Sequence, residues 1–228
     1  MWTEKWIREL LMIAKSPELQ AIELHRVQDG WDGLDYWLGH YMITQDEHDS
    51  TNPFKPFPYD DKPYLRELAY FWYFKAQQDP MFVLKSRQIM CSWLFMGCLT
   101  WDCMCLRGRR NAVQSKKEKD ADALLSRAWV IYQNQPFWLK QQGVVRTYCQ
   151  ITFPQRKSVF DALAQGPDQV RQYVYSNLFS DEIGFQQMAE QAYMAALPSI
   201  KGGGRYVAVS TANSGFFQQV VCEGENEG

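Results

Sequence analysis

The chain has 228 residues, enough for one large domain or a domain with an appended subdomain. Apolar residues make up 46% and aromatics 15%, which provides for a sizeable core and excludes a globally disordered chain. The net charge of −2 singles out neither a nucleic acid nor a membrane surface as a partner.

The local basic groups, Arg107, Arg109 and Arg110 and then Lys116, Lys117 and Lys119, read first as a solvated face. The six Cys include no C-x-x-C pair, and there is no His pair at zinc-ligand spacing. They sit mostly among apolar neighbours and read as reduced, buried thiols. The first 16 residues lack a basic start and a small-residue cleavage site, so they do not read as a secretory signal.

Residues 1–30 read as helical, with Ser16-Pro17-Glu18 opening a second helix: Ser as cap, Pro at the first position. "DGWDGLDYW" (29–37) breaks that pattern. Residues 45–63 carry four Pro and no period, so a long loop is expected; its "DEHD" (46–49) reads as a solvated turn, not a metal site. Residues 64–78 form a helix pattern. From residue 81 the texture changes. "MFVLKS" (81–86) suits a buried strand, and residues 92–106 suit a helix apolar on nearly all sides. Ser92, Asp102 and Arg107 mark that apolar stretch as a buried helix, not a membrane span. A short strand is expected at 111–115 and a helix at 116–135. One alternating strand is expected at 146–153, with 157–164 as its hairpin partner. A strand ending in two acids follows at 173–182, a helix at 186–197, and a last strand at 205–213.

The alternation of strands and helices predicts an α/β layer fold with a largely parallel sheet. Ligands bind beyond the carboxyl ends of such strands. That rule points to the turns after Leu84, Phe179 and Val209.

At the first turn, "LKSRQIMCSW" has the parts of a phosphate loop in unusual places. Against G-x-x-x-x-G-K-[ST], with Ser92 in the last slot, Lys85 and Met90 stand in the two Gly slots and Cys91 in the Lys slot. Lys85 can fold back over phosphates, Arg87 adds a second cation, and Ser92 offers a hydroxyl to Mg²⁺. Gly in place of Met90 would allow a positive φ and close backbone approach. Taken alone, the stretch is a poor match to a phosphate loop and fits an ordinary buried strand-to-helix turn better. At the second turn, Asp181 and Glu182 past a buried strand suit a metal-shell acid and a water-activating base, or simply a helix cap. The third ends in Ser210, Thr211, Ala212 and Asn213, which suit phosphate sensing or a plain polar turn.

As a set, these motifs resemble the ATPase domain of the large terminase subunit, the DNA-packaging motor of tailed phages and herpesviruses. "LKSRQIMCSW" is similar to its variant phosphate loop with a displaced lysine. "NLFSDEIGFQQ" is similar to its acidic motif, "VAVSTANSGFF" to its coupling motif, and residues 151–173 to the stretch before the acids. The likeness covers roughly residues 60–220.

The resemblance implies a P-loop NTPase three-layer fold with a mainly parallel sheet flanked by helices. Residues 1–60 would form an N-terminal helical and loop extension, and 61–228 the P-loop ATPase domain, with the family's C-terminal nuclease domain absent. It implies ATP and Mg²⁺ as cofactors. The phosphate cradle would be Lys85, Ser86, Arg87, Gln88, Ile89, Met90, Cys91 and Ser92, with Lys85 on the β/γ-phosphates. Ser92 and Asp181 would hold the metal and Glu182 would be the general base. Ser210, Thr211 and Asn213 would couple hydrolysis to movement. Arg87 would be a sensor in cis and Arg171 an arginine finger in trans. The implied partners are double-stranded DNA, a portal protein, a small terminase subunit and further copies of the chain in a ring, in the host cytoplasm and with no membrane. The basic groups at 107–119 would face DNA or a neighbouring subunit. Two departures stand out: Met90 replaces the usual Gly, and "KPYLREL" lacks the Gln often used for adenine. Two other readings remain: a different, helicase-like P-loop translocase, and a degenerate P-loop domain that binds a partner without turnover.

Overall fold

The computed structural model describes residues 4–87 and 89–223; Gln88 of the expected phosphate cradle lies outside them. Three helices open the chain: α1 (Glu4–Lys15), α2 (Pro17–Val27) and α3 (Gly30–His40). The cap expected at Ser16 is present. Its Oγ accepts from the Leu19 N–H at 3.2 Å, and Pro17 stands at the first helical position.

The stretch 29–37 does not break the helical pattern; it forms most of α3. One of its glycines serves close packing. A Cβ on Gly33 would lie 2.8 Å from the Arg26 carbonyl oxygen, so Gly lets α3 approach the end of α2. The expected loop at 45–63 also contains order. β1 (Ile43–Gln45) and β2 (Phe54–Pro56) pair antiparallel and set a short ribbon before α4 (Pro63–Phe74). Its tip is pinned by Asp46 Oδ1, which accepts from the His48 N–H at 2.9 Å, and by Asp49, which accepts from Thr51 and Asn52.

The remaining elements are β3 (Met81–Leu84), α5 (Cys91–Cys105), β4 (Arg110–Ser115), α6 (Glu118–Gln133), β5 (Val145–Thr147), β6 (Gln150–Phe153), β7 (Ser158–Ala164), α7 (Pro167–Arg171), β8 (Asn177–Asp181), α8 (Ala189–Lys201), β9 (Arg205–Ser210) and α9 (Phe216–Glu223). Seven strands form one sheet in the order β3-β9-β8-β4-β7-β6-β5. The first five are mutually parallel, joined through helices, and β6 and β5 extend the sheet antiparallel. The α/β class and mainly parallel sheet expected from the sequence are thus observed. Residues 146–153 are not one strand: the chain turns back at Tyr148 and Cys149, where Cys149 takes φ 60°, and β5 and β6 make their own hairpin. Residues 158–164 do pair with β6, as expected, and β7 also pairs with β4.

Helix α5 explains the apolar stretch before Arg107. It is buried on nearly all sides, between the sheet and the N-terminal helices. Among the described residues no helix is long and apolar enough to cross a membrane. Asp102 is tolerated inside it because Arg109 Nε donates to its Oδ2 at 2.8 Å, with Asn111 and Asn177 at 3.0 Å. The N-terminal helices share this core. Trp101 Nε1 donates to the Val27 carbonyl at 2.7 Å, and Trp37 Nε1 to Gln135 Oε1 at 2.9 Å.

The basic residues at 107–119 do not form one face. Arg109 and Arg110 lie at the start of β4 and are spent on the buried Asp102 and Asp161, the latter at 2.9 Å. Lys116, Lys117 and Lys119 follow its far end and are exposed.

Candidate active site

The sheet order sets β3, β9 and β8 side by side, so three carboxyl ends adjoin. The Lys85 N–H donates to the Ser210 carbonyl at 2.9 Å, extending the β3–β9 ladder by one residue. Asp181 pairs in register with Val209. The three turns singled out in the sequence therefore meet at one edge, as the parallel-sheet rule requires.

Lys85 Nζ donates to Glu182 Oε1 at 2.7 Å, and Ser92 Oγ donates to Asp181 Oδ1 at 2.9 Å. The other Glu182 oxygen, Oε2, accepts from Ser210 Oγ at 3.3 Å and from the Thr211 N–H at 3.2 Å. Ser210 Oγ in turn accepts from the Gly184 N–H at 3.2 Å, and Asn213 Nδ2 donates to the Gly184 carbonyl at 2.6 Å. Gln186, part of the quoted acidic motif but given no role there, fixes the strand end: its Nε2 donates to the Asp181 carbonyl at 2.9 Å and to Ser180 Oγ at 3.0 Å.

Two residues here hold left-handed backbone. Met90 has φ 64° and caps the N-terminus of α5; Glu182 has φ 49°. Non-glycine residues in that region cost about 1–2 kcal/mol each, and such strain concentrates at working sites. Met90 thus takes the conformation that the Gly slot of a phosphate loop demands, with its side chain half-buried against the core. The loop is further tied down by Tyr64, whose hydroxyl donates to the Ile89 carbonyl at 3.1 Å. Ser86 and Arg87 are exposed.

The electrostatics separate the two acids. Burial raises the Asp181 carboxyl above its ordinary value, against the pull of the Ser92 hydroxyl and Lys85. Burial pushes Glu182 up as well. The Lys85 ammonium and the Thr211 N–H outweigh it, and the carboxyl is held below the usual range. Cys91 beside them is pushed up to about 11 by burial, so its thiol stays protonated.

A cavity of about 500 Å³ opens over the loop, a volume that suits a small-molecule ligand. Lys85, Met90 and Ser92 line one side; the other is built by Gln45 and His48 from the β1–β2 ribbon and by Arg127 from α6. The ribbon and Arg127 were not assigned to the site from sequence. The ribbon lies some 40 residues before the loop, and only the fold brings it there. The Arg127 guanidinium lies 5.5 Å from the Trp93 ring centroid. Asp46 and Glu47 of "DEHD" line the same cavity, but no group of three or more His, Cys, Asp or Glu capable of holding a metal occurs among the described residues. Arg171 is not brought to the site. It is exposed at the end of α7, 3.7 Å from Asp168.

No family model matches the chain, and no curated protein matches it. Solved structures do. The chain is similar to the HK97 bacteriophage large terminase, at 9% identity and TM-score 0.64 over 86% of this chain and 41% of that one. It is similar to the ATPase domain of the Thermus phage P74-26 large terminase, at 14% identity and TM-score 0.51 over 61% of this chain and 62% of that one. The large terminase of a further thermophilic bacteriophage gives 11% identity and TM-score 0.52 over 69% of this chain and 40% of that one. The chain therefore spans less than two thirds of each. The fold resembles that of the terminase ATPase domain.

Proposed function

We propose that this chain is a terminase-type ATPase whose residues 61–228 hydrolyse ATP with Mg²⁺ to drive double-stranded DNA into a prohead. The observation that carries the reading is the convergence of Lys85, Ser92, Asp181 and Glu182 on adjoining strand ends at the N-terminus of α5. A phosphate needs a cation and helix-terminal N–H groups, and a water nucleophile needs a nearby base. Both are present within one hydrogen-bonded cluster.

The donor set fits Mg²⁺. Ser92 and Asp181 offer two hard oxygens already held 2.9 Å apart, beside the cavity that Ser92 lines. A bound Mg²⁺ would neutralise charge on the phosphate oxygens. In this reading Lys85 leaves Glu182 for the β/γ-phosphates, which frees Oε1. Glu182, ionised because its folded pKa is low, accepts a proton from the attacking water. Oε2 keeps its bonds to Ser210 and Thr211, so a change at the base is passed to the end of β9 and, through Gly184, to Asn213. Met90 already supplies the backbone turn, which favours the hydrolysing reading over a degenerate one. Arg171, exposed, is available to a neighbouring copy in a ring. The portal protein, small subunit and host-cytoplasm setting belong to the same proposal.

The test is phosphate release from ATP by the purified chain, with Mg²⁺ and with chelator, with and without double-stranded DNA. Mg²⁺-dependent release is expected. A folded chain that neither binds nor hydrolyses ATP overturns the reading.

A further inference from the structure

Two cations line the cavity over the phosphate loop, and they are in different states. Lys85 is paired with Glu182. Arg127 is half-buried, and forms no ion pair with any described residue, although Asp46 and Glu47 share the cavity wall. Its guanidinium rests over Trp93, a contact of the order of 0.5–1 kcal/mol. A charge-assisted, forked bond to a phosphate is stronger than that.

The placement of Arg127 is set by α6. Leu124, Leu125 and Ala128 face the core, which leaves Arg127 at the edge of the buried stripe, toward Ser92 and Trp93. Its charge reaches across to the acid at the end of β8: it is among the groups that pull the Asp181 carboxyl down. A half-buried guanidinium with no ion-pair partner among the described residues can take up an anion without first leaving another.

We propose that Arg127 is a phosphate-binding residue that contacts the terminal phosphate of a nucleoside triphosphate from the α6 side of the cavity, in cis. This rests on the reading of the cavity as a nucleotide site. Arg127 then distinguishes triphosphate from diphosphate, while Lys85 and the loop bind what the two share. Trp93 is the resting place that the guanidinium leaves when the anion arrives.

The experiment measures equilibrium binding of Mg-ATP and Mg-ADP, together with turnover, for the intact chain and for Arg127→Ala, Arg127→Lys and Trp93→Phe. Loss of one charge-assisted bond is expected to weaken ATP by about 10- to 100-fold. ADP should move by less than about threefold, about 0.65 kcal/mol. Arg127→Lys should recover part of the ATP affinity, and Trp93→Phe should leave the ATP-to-ADP ratio unchanged. If Arg127→Ala does not fold, Arg127→Gln serves in its place, with the thermal midpoint as control. Equal losses for ATP and ADP in a folded variant, or no loss for either, overturn the inference while leaving the nucleotide site intact. A wild-type chain that binds neither nucleotide removes the site itself.

Discussion

Lys85 Nζ lies 2.7 Å from Glu182 Oε1, with the Lys85 side chain only 8% exposed. The group proposed to hold phosphate and the group proposed to activate water are thus bonded to each other. Binding of a polyanion has to draw Lys85 off its partner. Lys85→Ala is expected to weaken ATP binding by about 10- to 100-fold, the loss of charge-assisted hydrogen bonds. Lys117, exposed at the start of α6, is the matched control: Lys117→Ala should leave binding within about twofold. Equal effects from the two, read by isothermal titration, would sink the displaced-lysine assignment.

Glu182→Gln separates binding from chemistry. The amide is isosteric and keeps an oxygen for Ser210 and Thr211, but it cannot take a proton from water. Turnover should fall by about 10²-fold or more, the usual scale of general-base catalysis, while ATP affinity stays near that of the wild type. Persistent turnover in single-turnover kinetics would assign the base elsewhere.

What the sequence disclosed follows from what is local. Lys85, Asp181, Glu182 and Ser210 stand at or just past the ends of apolar strands and Ser92 at the head of an apolar helix, and both kinds of run are visible in the sequence. The parallel-sheet rule then placed them at one edge. Helix α3 was hidden because its glycines act through tertiary contact: Gly33 is there for the Arg26 carbonyl, not to break a helix. The far wall of the cavity was hidden for a related reason. Gln45 and His48 lie on the ribbon and Arg127 on α6, two stretches far apart in sequence, and only packing of the ribbon and α6 over the loop gives them a common face. The turn at Tyr148 and Cys149 was missed because neither residue is a usual turn former, and Cys149 adopts a positive φ.

Met90 offers a test of backbone geometry alone. Its φ of 64° is tolerated by Gly, costs Met about 1–2 kcal/mol, and costs a β-branched residue more. Met90→Gly gains backbone ease and loses half-buried packing, so its stability should stay within about 1 kcal/mol of the wild type. Met90→Val should lie below both, by a further ~1–2 kcal/mol or about 2–8 °C in thermal midpoint. A Val variant as stable as the Gly variant would show that the loop does not hold this φ in solution.

The pH dependence follows from the lowered pKa of Glu182. A depressed carboxyl favours the folded state through its ionised form. That contribution is complete above the ordinary glutamate value of about 4.3 and is lost as pH falls through the lower folded value. The stability difference between the wild type and Glu182→Gln should therefore narrow as pH falls from about 5 toward 3. Denaturant midpoints at several pH values measure it, and a gap independent of pH would contradict the Lys85 pairing as the state in solution.

Gly184 is the position where the proposed coupling can be tested apart from the proposed phosphate contacts. It stands in the short turn Ile183–Phe185 after the acids, its N–H donates to Ser210 Oγ, and its carbonyl accepts from Asn213. A Cβ there would lie 2.8 Å from Ser210 Oγ, closer than that atom can stay, and in tight contact at 3.3 Å with Asn213 Cβ. Gly184→Ala must therefore displace the Ser210 hydroxyl and loosen it from Glu182 Oε2. Displacements of about 1 Å at a catalytic group cost on the order of 10²-fold in rate. The expected result is turnover down by at least about tenfold, with ATP binding through Lys85 and Ser92 changed by less than about threefold. Equal losses in binding and turnover would instead place Gly184 in the scaffold of the phosphate loop, and unchanged turnover would mean that the Ser210–Glu182 bond carries nothing in the reaction.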